Sequence, residues 1–215
     1  MAKYPVVVYG ASGYTGMLIM DWLIDQQIPF TAVARNAKRV QEMMAERVVR
    51  LESATYEIIE AEHNVAALTQ AFKGARVVCN TVGPFVNFGL TTVEAALEAG
   101  CHHIDTTGEQ GYIRSVRDRF GDLYAQAGLL VAPSTAYMYT FAEIAAELAL
   151  ETRGIDALET ATLCRGQRGG ASGVTVGSTA SIFELYRQEA CYLWEKQLVP
   201  YPAGTTANVI DPGFV

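Results

Sequence analysis

The chain has 215 residues, half of them hydrophobic, with a formal net charge of −7. That length can bury one full core with room for part of a second, and the acidic balance argues against nucleic acid or an anionic membrane as the main partner. No stretch is apolar for long enough to span a bilayer, and the N-terminus enters a strand too soon to leave room for a signal peptide. Cys79, Cys101, Cys164 and Cys191 are scattered without C-x-x-C pairing, as expected of reduced thiols in the cytoplasm.

The apolar run Val6 to Tyr9 predicts a buried strand, and Gly10, Ala11, Ser12, Gly13, Tyr14, Thr15 and Gly16 follow it directly. Met17 to Gln27 then places Leu18, Trp22, Leu23 and Ile24 near helical spacing. Strand, glycine turn and helix in this order open a dinucleotide-binding βαβ unit. Glycines let the backbone approach a pyrophosphate, and the helix N-terminus offers it unpaired N–H groups. The spacing is G-x-x-G-x-x-G, a variant of the commoner G-x-G-x-x-G, and its position between strand and helix makes it informative.

Phe30 to Ala34 is the next strand, ending in Arg35, Asn36, Ala37, Lys38 and Arg39. An NAD-selecting site places Asp or Glu here to bind the ribose 2′-OH, whereas a guanidinium complements a 2′-phosphate. Arg35, with Lys38 and Arg39 a turn later, therefore predicts NADP(H). A solvated basic helix start is the alternative for the same residues.

Further on, Lys38–Arg50 reads as a helix, Glu57–Ala61 as a strand, and Asn64 as the cap of a helix reaching Phe72. Arg76–Asn80 is the fourth strand and Thr81–Phe85 the loop at its C-terminal end. A helix over Thr92–Glu98, a strand over His102–Asp105, a helix over Tyr112–Ala127 and a strand over Leu129–Ala132 complete the alternation. Such alternation means a doubly wound parallel α/β sheet, and right-handed crossovers favour the order 3-2-1-4-5-6 with a ligand crevice along one edge. The cluster Cys101, His102, His103 and Asp105 is not expected to hold a metal, because adjacent strand residues face opposite ways.

Near residue 150 the pattern changes. Tyr139–Thr152 reads as a helix, Leu158–Arg165 as a strand, Gln167–Gly173 as a Gly-rich turn and Val176–Leu193 as a helix, before a Pro/Gly/Thr-rich tail over Val199–Val215. Residues 1–153 are thus expected to form the dinucleotide-binding domain and residues 154–215 the start of a smaller α+β domain. About sixty residues of this kind cannot close a core alone.

Four segments in order carry a resemblance: Gly10 to Gly16; Ala34, Arg35 and Asn36; Asn80, Thr81, Val82, Gly83, Pro84 and Phe85 with Gly89; and His103 through Glu109. With them the chain resembles the saccharopine dehydrogenase-like oxidoreductases, in particular the saccharopine dehydrogenase NADP-binding domain and trans-acting enoyl reductase group. The likeness covers most of residues 6–135, and Gly173–Ser181 matches the family's turn into a second-domain helix. It implies a Rossmann domain binding NADP(H) and a second domain that closes over the nicotinamide and often makes dimer contacts. Relatives commonly carry a Gly-Phe-Asp-Ser-type segment after the sixth strand, where this chain has Pro133 to Tyr139, and they continue well past residue 215.

Chemistry should be carried by the strand-end loops. Thr81, Val82, Gly83 and Pro84 run beside the expected dinucleotide. Glu109 and Asp105 are candidate acid/base groups, although a carboxylate at a βα turn also serves as a helix cap. Tyr137 and Tyr139 are candidate proton donors, or packing beneath a lid. The spacing of Tyr192 and Lys196 imitates the short-chain dehydrogenase pair but falls outside the first domain and is discounted. The expected activity is NADP(H)-dependent reduction of an activated C=C, C=N or C=O bond in a small metabolite, apolar if Phe85, Phe88, Tyr137, Tyr139 and Phe141 line the site and do not serve as core. The other reading is a non-catalytic NADP-binding redox sensor or scaffold on an NmrA-like fold.

Overall fold

A computed structural model of the chain describes residues 1–48, 50–155, 158, 179–180, 182–183, 187, 190–194 and 197–201. Its core is a parallel sheet of β1 (Val6–Tyr9), β2 (Phe30–Ala34), β3 (Tyr56–Glu60), β4 (Val77–Asn80), β5 (His102–Asp105) and β6 (Val131–Ala132), in the order β3-β2-β1-β4-β5-β6. Helices α1 (Tyr14–Asp25), α2 (Ala37–Arg47), α3 (Val65–Phe72), α4 (Phe85–Glu98) and α5 (Gln110–Gln126) connect the strands, and α6 (Tyr137–Leu150) follows β6. This is the doubly wound Rossmann arrangement and strand order expected from the sequence. The crevice forms where the order reverses, between the C-terminal ends of β1 and β4, which pair directly (Tyr9 with Asn80).

Strand alternation divides the core. Val8, Phe30 and Ala32 pack with Met20, Leu23 and Met44 of α1 and α2, while Val7, Tyr9 and Val78 pack with Phe72 and Ala96 of α3 and α4. A third cluster joins Phe85 and Val93 to Tyr112, Val116 and Phe120 of α5. As expected, Asn64 caps α3, its Oδ1 accepting the Ala67 N–H at 2.9 Å. Asn36 caps α2 in the same way, accepting from Arg39 N at 2.8 Å.

Two expectations are corrected. Helix α4 begins at Phe85, not near Thr92, so the loop after β4 is shorter than the sequence implied. The predicted helix over Val176–Leu193 cannot hold at its end, because Ala190–Trp194 is a strand, β7, antiparallel to β8 (Gln197–Tyr201). Gln110 ties β7 to α5 by imitating a neighbouring strand: its Nε2 donates to Cys191 O at 3.2 Å and its Oε1 accepts from Cys191 N at 2.6 Å. Tyr192 therefore lies on a strand, where the i, i+4 spacing to Lys196 has no helical meaning; Lys196 itself lies outside the described residues. So do the predicted turn at Gln167–Gly173, nearly all of the strand at Leu158–Arg165, and most of Gly173–Ser181. Among the described residues, no helix is long and apolar enough to cross a membrane.

His103 is fully buried on β5, and neither ring nitrogen has a hydrogen-bond partner. Burial pushes its pKa down to about 3, so the folded state holds it neutral while the unfolded chain protonates it near 6.5. The unfolded state then binds the extra proton between these values. Stability is complete above about pH 6.5 and falls as the pH drops. Chemical denaturation should show a loss of about 2 kcal/mol from this group between about pH 7 and about pH 5, at 1.36 kcal/mol per unit. The His103→Leu variant should lack that component, and an unchanged pH slope in the variant would refute the assignment.

Candidate functional site

The strand ends build one cavity of about 510 Å³, lined by Tyr9, Gly10, Ser12 to Thr15, Ala34, Arg35, Arg39, Met43, Arg47 and Thr81 to Gly83. Its floor is the turn between β1 and α1. Gly10 has φ +90°, and a Cβ there would lie 2.5 Å from Thr81 Oγ1 and 2.9 Å from Val82 Cγ2. A side chain at this position is excluded by both conformation and space. Gly16 works differently: its Cβ would meet Gly10 O at 2.4 Å, so it lets α1 close onto the turn. No side chain caps the N-terminus of α1, and its first turn has no acidic residue. Its amides and positive dipole end thus remain available to an anion.

Across the cavity stand Arg35, Arg39 and Arg47, all exposed. None of the lining residues is acidic, although the chain has 23 acidic and 16 basic residues. Beside this wall, Tyr9 Oη and His63 Nδ1 lie 2.7 Å apart with their rings stacked. Burial pushes Tyr9 up to about 12, against the opposing pull of Arg35. Burial first and Arg35 second push His63 below its usual value.

Of the predicted dinucleotide contacts, Gly10, Ser12, Gly13, Tyr14, Thr15, Arg35, Arg39, Thr81, Val82 and Gly83 all line this cavity. Ala11 and Gly16 are buried beneath the turn, Asn36 is occupied as the α2 cap, and Pro84 is the N-cap of α4. The sequence reading missed Tyr9, Ala34, Met43 and Arg47. The i, i+4, i+8 spacing of Arg39, Met43 and Arg47 on one helix was the available signal.

The carboxylates at the end of β5 are engaged inside the protein. Glu109 is completely buried; its Oε1 accepts from Phe85 N at 3.0 Å and its Oε2 from Val86 N at 2.7 Å. It thereby caps α4, the structural alternative that the sequence left open for this carboxylate. Asp105 accepts from Thr107 N and Ser134 N, each at 3.0 Å, and from Tyr112 Oη at 2.8 Å. Burial raises its pKa, while these three donors pull the other way. Tyr139 lies over Gly108, whose Cβ would come within 2.2 Å of the tyrosine hydroxyl. Tyr137 is 66% exposed. The structure therefore brings Tyr139 onto the loop that carries Glu109, outside the residues that line the cavity, and leaves Tyr137 at the surface.

A family model described as NAD(P)H-binding matches residues 10–158, and one for a family of unknown function matches residues 140–215. A Mycobacterium tuberculosis protein provisionally named a trans-acting enoyl reductase is 27% identical over 186 residues, covering 84% of this chain and 44% of its own length. The mouse saccharopine dehydrogenase-like oxidoreductase is 28% identical over 147 residues, covering 62% and 34%. The chain thus spans less than half the length of these relatives. Saccharopine dehydrogenase (L-Glu forming) from Saccharomyces cerevisiae, in its apo form, superposes with a TM-score of 0.56 at 14% identity over 98% of this chain and 48% of that one, a likeness of fold. Glycine turn, uncapped helix and strand order agree with these matches, and the chain belongs to the NAD(P)H-binding family, with the saccharopine dehydrogenase-like oxidoreductases as its kin.

Proposed function

We propose that this chain is the cofactor-binding unit of an NADP(H)-dependent oxidoreductase that reduces an activated C=C, C=N or C=O bond in a small metabolite. One observation carries the reading: a cavity without a single carboxylate unites an uncapped helix N-terminus with Arg35 and Arg39. A pyrophosphate fits over Gly10 to Thr15, where α1 amides donate to it. Arg35 suits a 2′-phosphate, which an acidic residue at the same place would repel. Bound in this way, the nicotinamide supplies the hydride. Thr81 to Gly83 then form the wall along which the dinucleotide runs toward β5. Glu109 positions α4 beside that wall, and Tyr139, whose hydroxyl lies against Gly108, is the candidate proton donor, with Tyr137 the second candidate. Residues 1–153 serve as the dinucleotide domain, and residues 154–215 as the start of a unit for substrate and dimer contacts. A cytoplasmic location accords with the scattered cysteines.

Steady NADPH consumption with a panel of enones and imines tests this proposal. Tyr139→Phe should lower turnover about 100-fold, as expected for loss of a general acid, with NADPH affinity unchanged. One observation favours a sensor or scaffold instead: Asp105, Tyr112 and Glu109 are all satisfied within the protein. On that reading NADPH binds and no substrate consumes it.

A further inference from the structure

Arg47 stands thirteen residues beyond the end of β2 in sequence, yet it lines the same cavity as Arg35 and Arg39. Helix α2 brings this about. Arg39, Met43 and Arg47 recur at i, i+4 and i+8, so they share one helical face. Long helical side chains lie back toward the helix N-terminus, which directs the Arg47 side chain toward the strand ends where α2 begins.

None of the three arginines forms a salt bridge among the described residues, whereas Lys38 on the same helix pairs with Glu42 at 3.8 Å. Three unpaired guanidinium groups around one cavity, with no carboxylate in its lining, repel one another. An anion of high charge density relieves that repulsion.

The proposed cofactor offers two anionic groups. Its pyrophosphate is served by the amides of α1, on the opposite wall. The cations of α2 are then left for the second group. We infer that Arg47 is a specificity-determining residue for the 2′-phosphate dianion of the cofactor, acting with Arg35 and Arg39, and that Met43 is the apolar wall against the adenosine between them. This inference rests on the cofactor reading proposed above.

The test titrates wild type, Arg47→Ala and Arg47→Lys with NADPH, NADH, adenosine 2′,5′-bisphosphate and adenosine 5′-monophosphate. Circular dichroism and the thermal midpoint check that each variant is folded. Arg47→Ala should weaken NADPH and the bisphosphate about tenfold each, the scale of one charge-assisted contact. NADH and the monophosphate should stay within about twofold. Arg47→Lys should recover part of the loss, since it keeps the charge without the planar fork. Unchanged NADPH affinity in folded Arg47→Ala overturns the inference while leaving the cofactor reading intact. Equal weakening of NADPH and NADH also overturns it, moving Arg47 to the pyrophosphate. If wild type binds none of the four probes, the cofactor reading fails and the role of Arg47 fails with it.

Discussion

Arg35→Glu is expected to weaken NADPH binding by about 100-fold or more while leaving NADH affinity within a few-fold. The substitution removes a charge-assisted contact of about 1.5–3 kcal/mol and places a carboxylate where the dianion must sit. Repulsion adds to the loss, and each 1.4 kcal/mol is a tenfold change in affinity. Arg35 is exposed at the mouth of the cavity and has no ion-pair partner among the described residues. Its replacement therefore leaves no buried charge stranded, and the fold should tolerate it. Fluorescence titration with both cofactors gives the answer directly. A similar loss for NADPH and NADH would place Arg35 away from the 2′-phosphate.

The second large effect concerns stability. Glu109→Ala is expected to cost about 3–5 kcal/mol, read as a lowered thermal midpoint and denaturant midpoint. The two α4 amides that the carboxylate accepts, Phe85 N and Val86 N, would lose their partner at a site where the side chain is wholly buried. Each buried donor left unpaired costs about 1–3 kcal/mol, and a cavity is added to that. Glu109→Gln keeps one good acceptor and should recover much of the loss. A Glu109→Ala protein as stable as wild type, but without reductase activity, would assign Glu109 a catalytic role in place of the structural one.

Local signals made the first half of this fold legible. Val6–Tyr9 and Phe30–Ala34 match the observed strands residue for residue, and Asn64 caps the helix it was expected to cap. Those features depend on residues a few positions apart: a β-branched run, a glycine, an Asn three residues before an amide it can accept. The start of α4 was not legible, because its cap comes from Glu109, 24 residues away, and Pro84 at its N-cap offers no side-chain acceptor. Distance likewise hid the part Gln110 plays in holding β7 to α5. At the site, the turn glycines and Arg35 could be read from the chain. The spacing of Arg39, Met43 and Arg47 on the predicted helix put them on one face, but that this face lines the cavity depends on how α2 packs against the sheet. Glu109 and Asp105 show the limit for catalytic candidates, since a carboxylate at a strand end can be catalytic or structural, and the difference lies in which donors meet it.

A cavity at the β1–β4 switch point whose charged lining residues are all arginines should select a 2′-phosphorylated dinucleotide. The most direct test is calorimetric titration of the unmodified protein with NADPH and with NADH under the same salt conditions. NADPH should bind saturably at one site and NADH at least about tenfold more weakly, the gap narrowing as salt rises. Equal affinity for the two cofactors, or tighter binding of NADH, would contradict it.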